Sequence, residues 1–535
     1  MYLPILGLTV INAGVLHCLS RYSTTSFSHL SNRYVWIISV VLAWLMYTLD
    51  WMILYPRLRS HLRKLPTVKA ANILGERPRG KTPLAWFHRY PDADVIHMHG
   101  LFGKQVLYPA SPEALRDIFS TNSYHWAKPW GIRAFLARII GFGLILSEGD
   151  AHRNQRKFLT PAFNIRNIRA LSSLMWSKTS IFLDQLEKEN EAQGSVEITY
   201  WASRLTLDII GPAALSRDFQ TMTSADDPIA HAFREILEPS PGLVTFMVSN
   251  MFLPQWLATR LPVRANEIIA NQCSRVREQC RNILVEKRDN FKKLKAAEEG
   301  REDDILQHIM STGQFGDEEI IEQMLTFLAA GHETTASALT WCTYVLAQRP
   351  DLQSRLREEI RNNISSMSTP VSSTALESMP LLNGVCEEVL RLYPTVPLTI
   401  REAQCDTTMA GIPIPKGVVA LIVPYAINRH PSYWGENASD FVPERWIDTG
   451  KDGTQRANKH GGAHSNYCET TFLHGPRSCI GRDFAKTELR CAVAGIVGSF
   501  ELELLEPERE VVIGGTVTTK PVGGLKLKLR RVPGW

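Results

Sequence analysis

The chain has 535 residues, which exceeds one ordinary hydrophobic core and suggests about three domains on length alone. Its nine cysteines are an odd number without a C-x-x-C pair, which argues against a disulfide framework and favours a reducing compartment. The formal net charge of +5 is small for this length and does not indicate nucleic-acid binding. No linker or repeat follows residue 70, so one large, mostly helical unit on a short tether is the alternative.

Two apolar runs stand at the N-terminus. Residues 34–55 are interrupted only by Asp50 and are long enough for one membrane-spanning helix of about 20 residues. Five Lys or Arg residues follow within 57–69 and only two precede the run, so the rest of the chain is predicted to lie in the cytosol. Residues 2–20 are either a second span or an uncleaved signal-like segment. We therefore predict a membrane anchor at 1–64 and the main domain at 65–535.

The main domain is predicted to be mainly α with small β-sheets, an α+β fold. Apolar residues partly alternate across 95–108, with Gly100 and Gly103 between them, as in two short strands joined by a turn. Helical patterns prevail from residue 112 to Pro394. The apolar, proline-containing segment 240–262 is either core or a patch that enters the bilayer beside the anchor.

His152 and Arg156 are the first candidate ligand-binding residues. They are four positions apart in a helical pattern, so their side chains share one face and could bind the same anion. The alternative is an ordinary solvated basic face.

A long helix is predicted from Asp317, as N-cap, to Arg349. Its centre carries Gly331, Glu333 and Thr334, which are unfavourable inside a helix. We interpret the glycine as room for a flat ligand against the backbone, and the acid and the hydroxyl as a proton relay. The alternative is a polar patch where the helix reaches solvent.

Glu388 and Arg391 are three apart on an apolar helical segment, which predicts a partly buried ion pair. A buried pair needs further hydrogen-bond partners, and Arg445 is the candidate third member. A surface salt bridge is the alternative.

Cys479 lies between two glycines, directly before a predicted helix from Arg482 to about residue 497. A helix N-terminus is expected to lower the pKa of the thiol. A thiolate in such a loop is also one of the few protein ligands for haem iron. The alternative is a buried structural cysteine.

Together these motifs resemble the cytochrome P450 family. The cysteine loop is similar to the family's Phe-x-x-Gly-x-Arg-x-Cys-x-Gly signature, the long-helix motif to its oxygen-activation groove, and the ion pair to its Glu-x-x-Arg motif. The matching residues are Phe472, Gly475, Arg477, Cys479 and Gly481; Ala330, Gly331, Glu333, Thr334 and Thr335; and Glu388, Arg391 and Arg445. The resemblance spans about residues 65–535 and implies the triangular haem-thiolate fold of that family.

The resemblance also implies roles for individual residues. Cys479 would be the axial ligand of a haem b iron, with Phe472 packed against its loop. Thr334 would bind dioxygen and Glu333 would help deliver protons. The haem propionates would contact Arg477, His152, Arg156 and Arg401, although His152 stands where the family usually has tryptophan. A lipophilic substrate would contact Ala329, Ala330, Val396, Leu398 and Val517, among others.

The implied activity is monooxygenation, by hydroxylation or epoxidation, in secondary-metabolite biosynthesis. The implied location is the endoplasmic reticulum membrane with the catalytic domain in the cytosol. Electrons would come from an NADPH-dependent flavoprotein reductase, with cytochrome b5 as a second candidate donor. One alternative is a haem-thiolate isomerase or dehydratase without oxygen activation. Another is a non-catalytic haem- or zinc-binding membrane protein with Cys468, His474, Cys479 and Cys491 as ligands.

Overall fold

The computed structural model describes residues 32–71, 75–100, 103–224, 264–297, 304–515 and 517–535, with short pieces between 229 and 261. The possible second span at 2–20 and most of the apolar segment 240–262 lie outside the described residues.

Helices make up most of the described chain. The first half contains α1 (Asn32–Leu49), α2 (Lys81–Arg89), α3 (Pro112–Arg116), α4 (Trp130–Ile140), α5 (Gly149–Leu159), α6 (Ile165–Ala170), α7 (Ser172–Gln193), α8 (Ile198–Leu215), α9 (Gln255–Ala258) and α10 (Arg264–Ala297). The second half contains α11 (Ile305–Thr312), α12 (Asp317–Ala347), α13 (Pro350–Asn363), α14 (Ser373–Glu377), α15 (Pro380–Leu392), α16 (Pro424–Ile427), α17 (Pro431–Trp434) and α18 (Arg482–Ser499).

The strands are short and form small sheets, as the sequence predicts. They are β1 (Thr67–Val68), β2 (Val95–His99), β3 (Gln105–Pro109), β4 (Trp126–Ala127), β5 (Val196–Glu197), β6 (Thr399–Ala403), β7 (Thr407–Met409), β8 (Ile412–Ile414), β9 (Val419–Ile422), β10 (Ile447–Thr449), β11 (Gln455–Ala457), β12 (Phe500–Leu504), β13 (Ile513–Gly514), β14 (Lys520–Pro521) and β15 (Lys526–Arg531). The largest sheet has the order β1-β2-β3-β9-β6-β4. The predicted hairpin at 95–108 is its β2–β3 pair, in which Met98 lies opposite Val106.

The candidate membrane-spanning helix and the largest sheet are directly connected. The helical segment Ile37–Tyr55 has a mean hydropathy of 1.9 and is long and apolar enough to span a membrane. A π-helical segment, Asp50–Arg59, follows α1. The Ser60 hydroxyl then donates to the side-chain oxygen of Gln105 on β3, at 2.7 Å, and Leu62 is fully buried in the core of this sheet. The candidate span therefore continues into the folded body without a separate linker.

The long predicted helix, α12, crosses the larger hydrophobic core. Acidic residues occupy its first turn, where their negative charges interact favourably with the positive end of the helix dipole. The N-cap is Gly316 rather than the predicted Asp317, because the Glu319 carboxylate accepts from the Gly316 N–H at 2.9 Å. The helix ends at Ala347, two residues before the predicted Arg349. It packs against α8, α15 and α18 within one core.

Gly331 serves the contact between α12 and α8. A Cβ atom on Gly331 would lie 2.8 Å from two side-chain atoms of Ile210, which is closer than carbon atoms pack. Beside it, the Thr206 hydroxyl donates to the His332 carbonyl oxygen at 2.9 Å. The position that a Cβ atom would take at Gly331 is therefore occupied by Ile210. That the glycine also lets a flat ligand approach the backbone stays a prediction.

The predicted ion pair lies on α15 and is fully buried. Two nitrogens of Arg391 donate to the Glu388 carboxylate at 2.7 and 2.8 Å, and Arg445 donates to it at 2.9 Å. The Trp446 indole also donates to it, at 2.9 Å. Burial alone would raise the pKa of Glu388, but the hydrogen bonds and charge of Arg391, with the charge of Arg445, lower it. The surface alternative is wrong, because Glu388 and Arg391 are both 0% exposed.

Replacing Arg391 tests the energetic importance of this pair. Arg391→Met leaves the Glu388 charge buried without its main partner, and we expect it to lower the free energy of unfolding by about 3–5 kcal/mol. Arg355→Met is the matched control, because Arg355 pairs with Glu444 at the surface. Urea unfolding should show little change for this control. Equal stability of the two variants would contradict the buried-pair account.

The α12–α8 contact predicts a compensating pair of substitutions. Gly331→Ala should destabilise the protein by about 1–3 kcal/mol, because the new methyl group overpacks against Ile210. Adding Ile210→Val removes one methyl group from that contact and should restore part of the loss. Thermal unfolding of both single variants and the double variant measures this coupling. Strictly additive effects would argue against a direct contact.

Candidate active site

Cys479 is held in a tight loop between a short 3-10 turn, Gly475–Arg477, and the start of α18. The Cys479 N–H donates to the Phe472 carbonyl oxygen at 2.8 Å, which closes the loop. Gly475 has a φ of +66°, and a Cβ atom there would lie 2.0 Å from the carbonyl oxygen of Phe119. Glycine is therefore required at this position. At Gly481 a Cβ atom would meet no atom within 4 Å, so this side of the loop faces open space.

The Cys479 thiol lies deep within the protein, but the residue keeps solvent-accessible surface. Burial raises its pKa, although the Gly481 N–H and the charge of Arg156 act in the opposite direction. This outcome corrects the expectation of a lowered pKa, because desolvation outweighs the helix N-terminus. The residue nevertheless has a large accessible surface. A deeply placed group with accessible surface lines an internal cleft, which is the position required of a ligand to a bound cofactor.

An excess of positive charge lies beside this cleft. Arg401 is 2% exposed, and burial together with the charge of Arg477 lowers its pKa to about 10. Burial and the charge of Arg401 lower the pKa of Lys128 far below its usual range. Glu148 is the carboxylate that offsets these charges: it pairs with Arg477 and lies 3.9 Å from the Lys128 ammonium group. One carboxylate for three largely buried basic groups leaves a net positive charge.

These cations fit a cofactor that carries carboxylates at its edge. The Nε atom of Arg477 is buried and has no hydrogen-bond partner in the described part of the chain. Buried charged donors without partners are costly, so a bound anion would be favoured here. The two propionates of haem would supply that charge, with the accessible Cys479 thiol at the same cleft. The residues present therefore fit haem.

His152 and Arg156 take different positions on α5. His152 is buried and its Nδ1 lies 3.1 Å from the Tyr124 hydroxyl. Burial and the nearby charge of Arg477 lower its pKa to about 4, so the ring is neutral at pH 7. Arg156 donates to the Ser478 carbonyl oxygen at 2.6 Å and so binds the cysteine loop directly. The alternative of a solvated basic face is wrong for His152, which is 3% exposed.

The acid and the hydroxyl of α12 are both engaged. The Thr334 hydroxyl donates to the Ala330 carbonyl oxygen at 2.7 Å, a bond within the helix that leaves its lone pairs free to accept. The Glu333 side chain is 9% exposed, and its carboxylate lies 2.6 Å from the Lys520 ammonium group of β14. Ala329, Phe472 and Ile480 pack against the same hydrophobic core, which joins this part of α12 to the cysteine loop. Glu333 is thus a buried acid and not part of a solvent-exposed patch.

The structure brings several predicted pocket segments together. The Thr519 N–H donates to the Thr395 carbonyl oxygen at 2.9 Å, so the turn containing Val517 lies against the segment containing Val396. Val396 and Val517 are 37% and 41% exposed, and apolar side chains that keep such surface are available to a ligand. Ala329, Ala330 and Leu398 are half-buried.

Sequence reasoning missed Lys128, Glu148 and Tyr124. Lys128 follows the short strand β4, and its N–H donates to Glu148 at 2.9 Å. The Tyr124 ring lies 5.1 Å from the Arg477 guanidinium carbon, in cation–π geometry. Lys128 and Glu148 are separated by 20 residues and belong to no motif, so only the folded chain brings them together. The only hint of this site in the sequence is that the basic residue Lys128 directly follows the strand β4. A single basic residue in that position is a weak indication of a binding site.

The proposed cluster of Cys468, His474, Cys479 and Cys491 does not form a metal site. Among the described residues, no three or more His, Cys, Asp or Glu side chains are arranged to hold a metal ion. The His474 ring is hydrogen-bonded to the Glu469 carbonyl oxygen at 2.7 Å, and Cys491 is fully buried on α18. This arrangement removes the basis for the zinc-binding alternative.

Sequence comparisons identify proteins similar to this chain, and they agree with a haem-binding site at Cys479. The sequence profile of the family described as Cytochrome P450 matches residues 88–527. The chain is 37% identical to the cytochrome P450 monooxygenase sphH of Aspergillus fumigatus, over 90% of this chain and 91% of that protein. It is 34% identical to the cytochrome P450 monooxygenase FUM15 of Gibberella moniliformis, over 90% of each chain. A third relative, the cytochrome P450 monooxygenase buaD of Petromyces alliaceus, is 36% identical over 82% of this chain and 83% of its own length.

The profile extends from α2 to β15 and so includes the cysteine loop, the buried cations and the centre of α12. The relatives align along nearly the whole chain and share one enzyme class. This chain belongs to the cytochrome P450 family and is a monooxygenase.

Proposed function

We propose that the chain inserts one oxygen atom from dioxygen into a lipophilic small molecule of secondary metabolism, by hydroxylation or epoxidation. The observation that carries this proposal is the accessible Cys479 thiol beside an excess of buried positive charge. The half-buried and exposed aliphatic residues near Thr395 and Thr519 favour an apolar substrate. The fungal monooxygenases similar to this chain favour the same class of activity.

The cofactor in this proposal is haem b, which when bound would supply the activation of dioxygen and the oxidation of the substrate. Cys479 would be its axial ligand, and Phe472, Gly475 and Gly481 would shape the ligand loop. Arg477, Arg401, Lys128 and His152 would orient the propionates. Arg156 would act on the loop through its bond to the Ser478 carbonyl oxygen.

The proton chemistry is assigned to α12. The Thr334 oxygen would accept a hydrogen bond from water, because its own proton is donated to the Ala330 carbonyl oxygen. The Glu333 carboxylate would take up a proton and pass it toward the reacting oxygen. Neighbouring apolar side chains would exclude bulk water from this part of the site. A rearrangement or dehydration without oxygen activation has no need of such a relay.

The electrons are proposed to come from a membrane-bound NADPH-dependent flavoprotein reductase, with cytochrome b5 as a second donor. The candidate span Ile37–Tyr55 and the basic residues that follow it support an endoplasmic reticulum location with the catalytic domain, residues 65–535, in the cytosol. Residues 1–64 would be the anchor.

Substitution of the ligand tests the assignment at the site. Cys479→Ser should abolish the Soret shift that a haem-thiolate protein shows on reduction under carbon monoxide, because a serine hydroxyl does not replace the thiolate. Cys405→Ser is the matched control, since Cys405 is an exposed cysteine away from the loop. The control should keep the full shift. A retained shift in Cys479→Ser would mean that another residue binds the iron.

Turnover tests the reaction class. The full chain, expressed in microsomes with an NADPH-dependent reductase, should bind members of a panel of terpenoids and polyketides and give spectral changes. Bound compounds should gain one oxygen atom, derived from labelled dioxygen, only when NADPH and reductase are both present. Product formation without reductase would instead support the isomerase or dehydratase alternative.

A further inference from the structure

Lys520 is an unusual partner for a residue of the long helix. It lies on β14 near the C-terminus, and its ammonium group is 2.6 Å from the Glu333 carboxylate at the centre of α12. The Lys520 side chain is 33% exposed, whereas that of Glu333 is 9% exposed. The pair therefore extends from the interior of the site to the solvent. No sequence motif connects the two residues.

The position of Lys520 is fixed by hydrogen bonds to its neighbour Thr519. The Ser337 hydroxyl donates to the Thr519 carbonyl oxygen at 2.5 Å, and the Trp341 indole lies 3.4 Å from the same oxygen. Glu333, Ser337 and Trp341 are spaced by four residues, so they form one stripe along α12. This stripe holds the chain at Thr519, and the next side chain, Lys520, then reaches Glu333.

The hairpin that carries Lys520 also carries a pocket residue. Gly514 pairs with Lys520 in the β13–β14 ladder. At Gly515 φ is +107°, and a Cβ atom would lie 1.9 Å from the Thr518 carbonyl oxygen, so the turn is tight. Val517 lies at this turn and is 41% exposed. Lys520 is thus held by a compact hairpin and not by a flexible tail.

We propose that Lys520 is a positioning residue for proton transfer, holding the Glu333 carboxylate in place and connecting it to solvent. A carboxylate in this enclosed position requires a compensating charge, and Lys520 supplies it. The ammonium group carries exchangeable protons and is partly in water, so it can replenish the proton that Glu333 gives up. This inference rests on the proposed role of Glu333 in oxygen activation.

The role of Lys520 in proton delivery can be tested without a substrate, from the products of dioxygen reduction. When protons arrive in time, O2 + 2 NADPH + 2 H⁺ gives 2 H2O + 2 NADP⁺. When the reduced oxygen is released before the second pair of electrons and protons reaches it, O2 + NADPH + H⁺ gives H2O2 + NADP⁺. The ratio of hydrogen peroxide released to NADPH oxidised therefore measures how well protons reach the oxygen.

We would measure this ratio with the holoprotein, a reductase, NADPH and dioxygen. Lys520→Met should raise the ratio of hydrogen peroxide released to NADPH oxidised by roughly twofold or more. Without Lys520 the Glu333 carboxylate is no longer held in place and transfers protons less efficiently. The substitution should also enlarge the solvent deuterium isotope effect on NADPH oxidation. Lys520→Arg keeps the charge and should restore both values in part. Lys526→Met, which removes an exposed lysine of β15, is the matched control and should behave as the wild type.

A second measurement tests the ion pair independently of turnover. Thermal unfolding should show a lower midpoint for Lys520→Met, since the Glu333 charge is left without its partner. Adding Glu333→Gln removes that charge and should recover part of the loss. Additive effects of the two substitutions would contradict a direct interaction.

The outcomes separate this inference from the proposed function. If Glu333→Gln raises the peroxide ratio and Lys520→Met matches the Lys526→Met control, the role of Lys520 is wrong and that of Glu333 stands. If Glu333→Gln leaves the ratio unchanged, the proposed proton relay is itself wrong. If both raise it, with rescue by Lys520→Arg, the positioning role is supported.

Discussion

The buried excess of positive charge beside Cys479 is the constraint on which the site depends. Lys128, Arg401 and Arg477 converge there with Glu148 as their carboxylate. Desolvated cations repel each other, so this arrangement destabilises the folded protein when no anion is bound. A dianionic cofactor edge would remove the cost, and its binding would then contribute to the stability of the folded protein. Stability and cofactor retention are expected to be coupled for this reason.

The elements around the cleft are held by contacts that do not involve a cofactor. Glu388 gathers Arg391, Arg445 and Trp446 into one buried network. Such a network is satisfied on all sides, so it orders the segments that lead into the cysteine loop. On the opposite side, the close approach of α12 to α8 depends on the absence of a side chain at Gly331. The site is thus preorganised by the packing of its surroundings.

The sequence was sufficient to predict the long helix, the β2–β3 hairpin, the Glu388–Arg391 pair with Arg445 and the cysteine loop. These features depend on spacing along the chain, which periodicity and motifs reveal. The contact between Gly331 and Ile210 was missed because a glycine in a helix does not show which neighbour approaches it. The pKa of Cys479 was mispredicted because desolvation is not visible in a sequence. Lys128, Glu148 and Lys520 were missed because their partners are 20 to 187 residues away.

The bond between Ser60 and Gln105 has a practical consequence for preparing a shortened, water-soluble protein. Leu62 fills the core of the largest sheet, and the Ser60 hydroxyl is tied to β3. A truncation that starts at residue 65 would remove both and open a cavity under the sheet. A shortened chain that begins just before Ser60 lacks the candidate span but keeps the Ser60–Gln105 hydrogen bond and the buried Leu62 side chain. The choice of those few residues should decide whether the shortened enzyme is stable in solution.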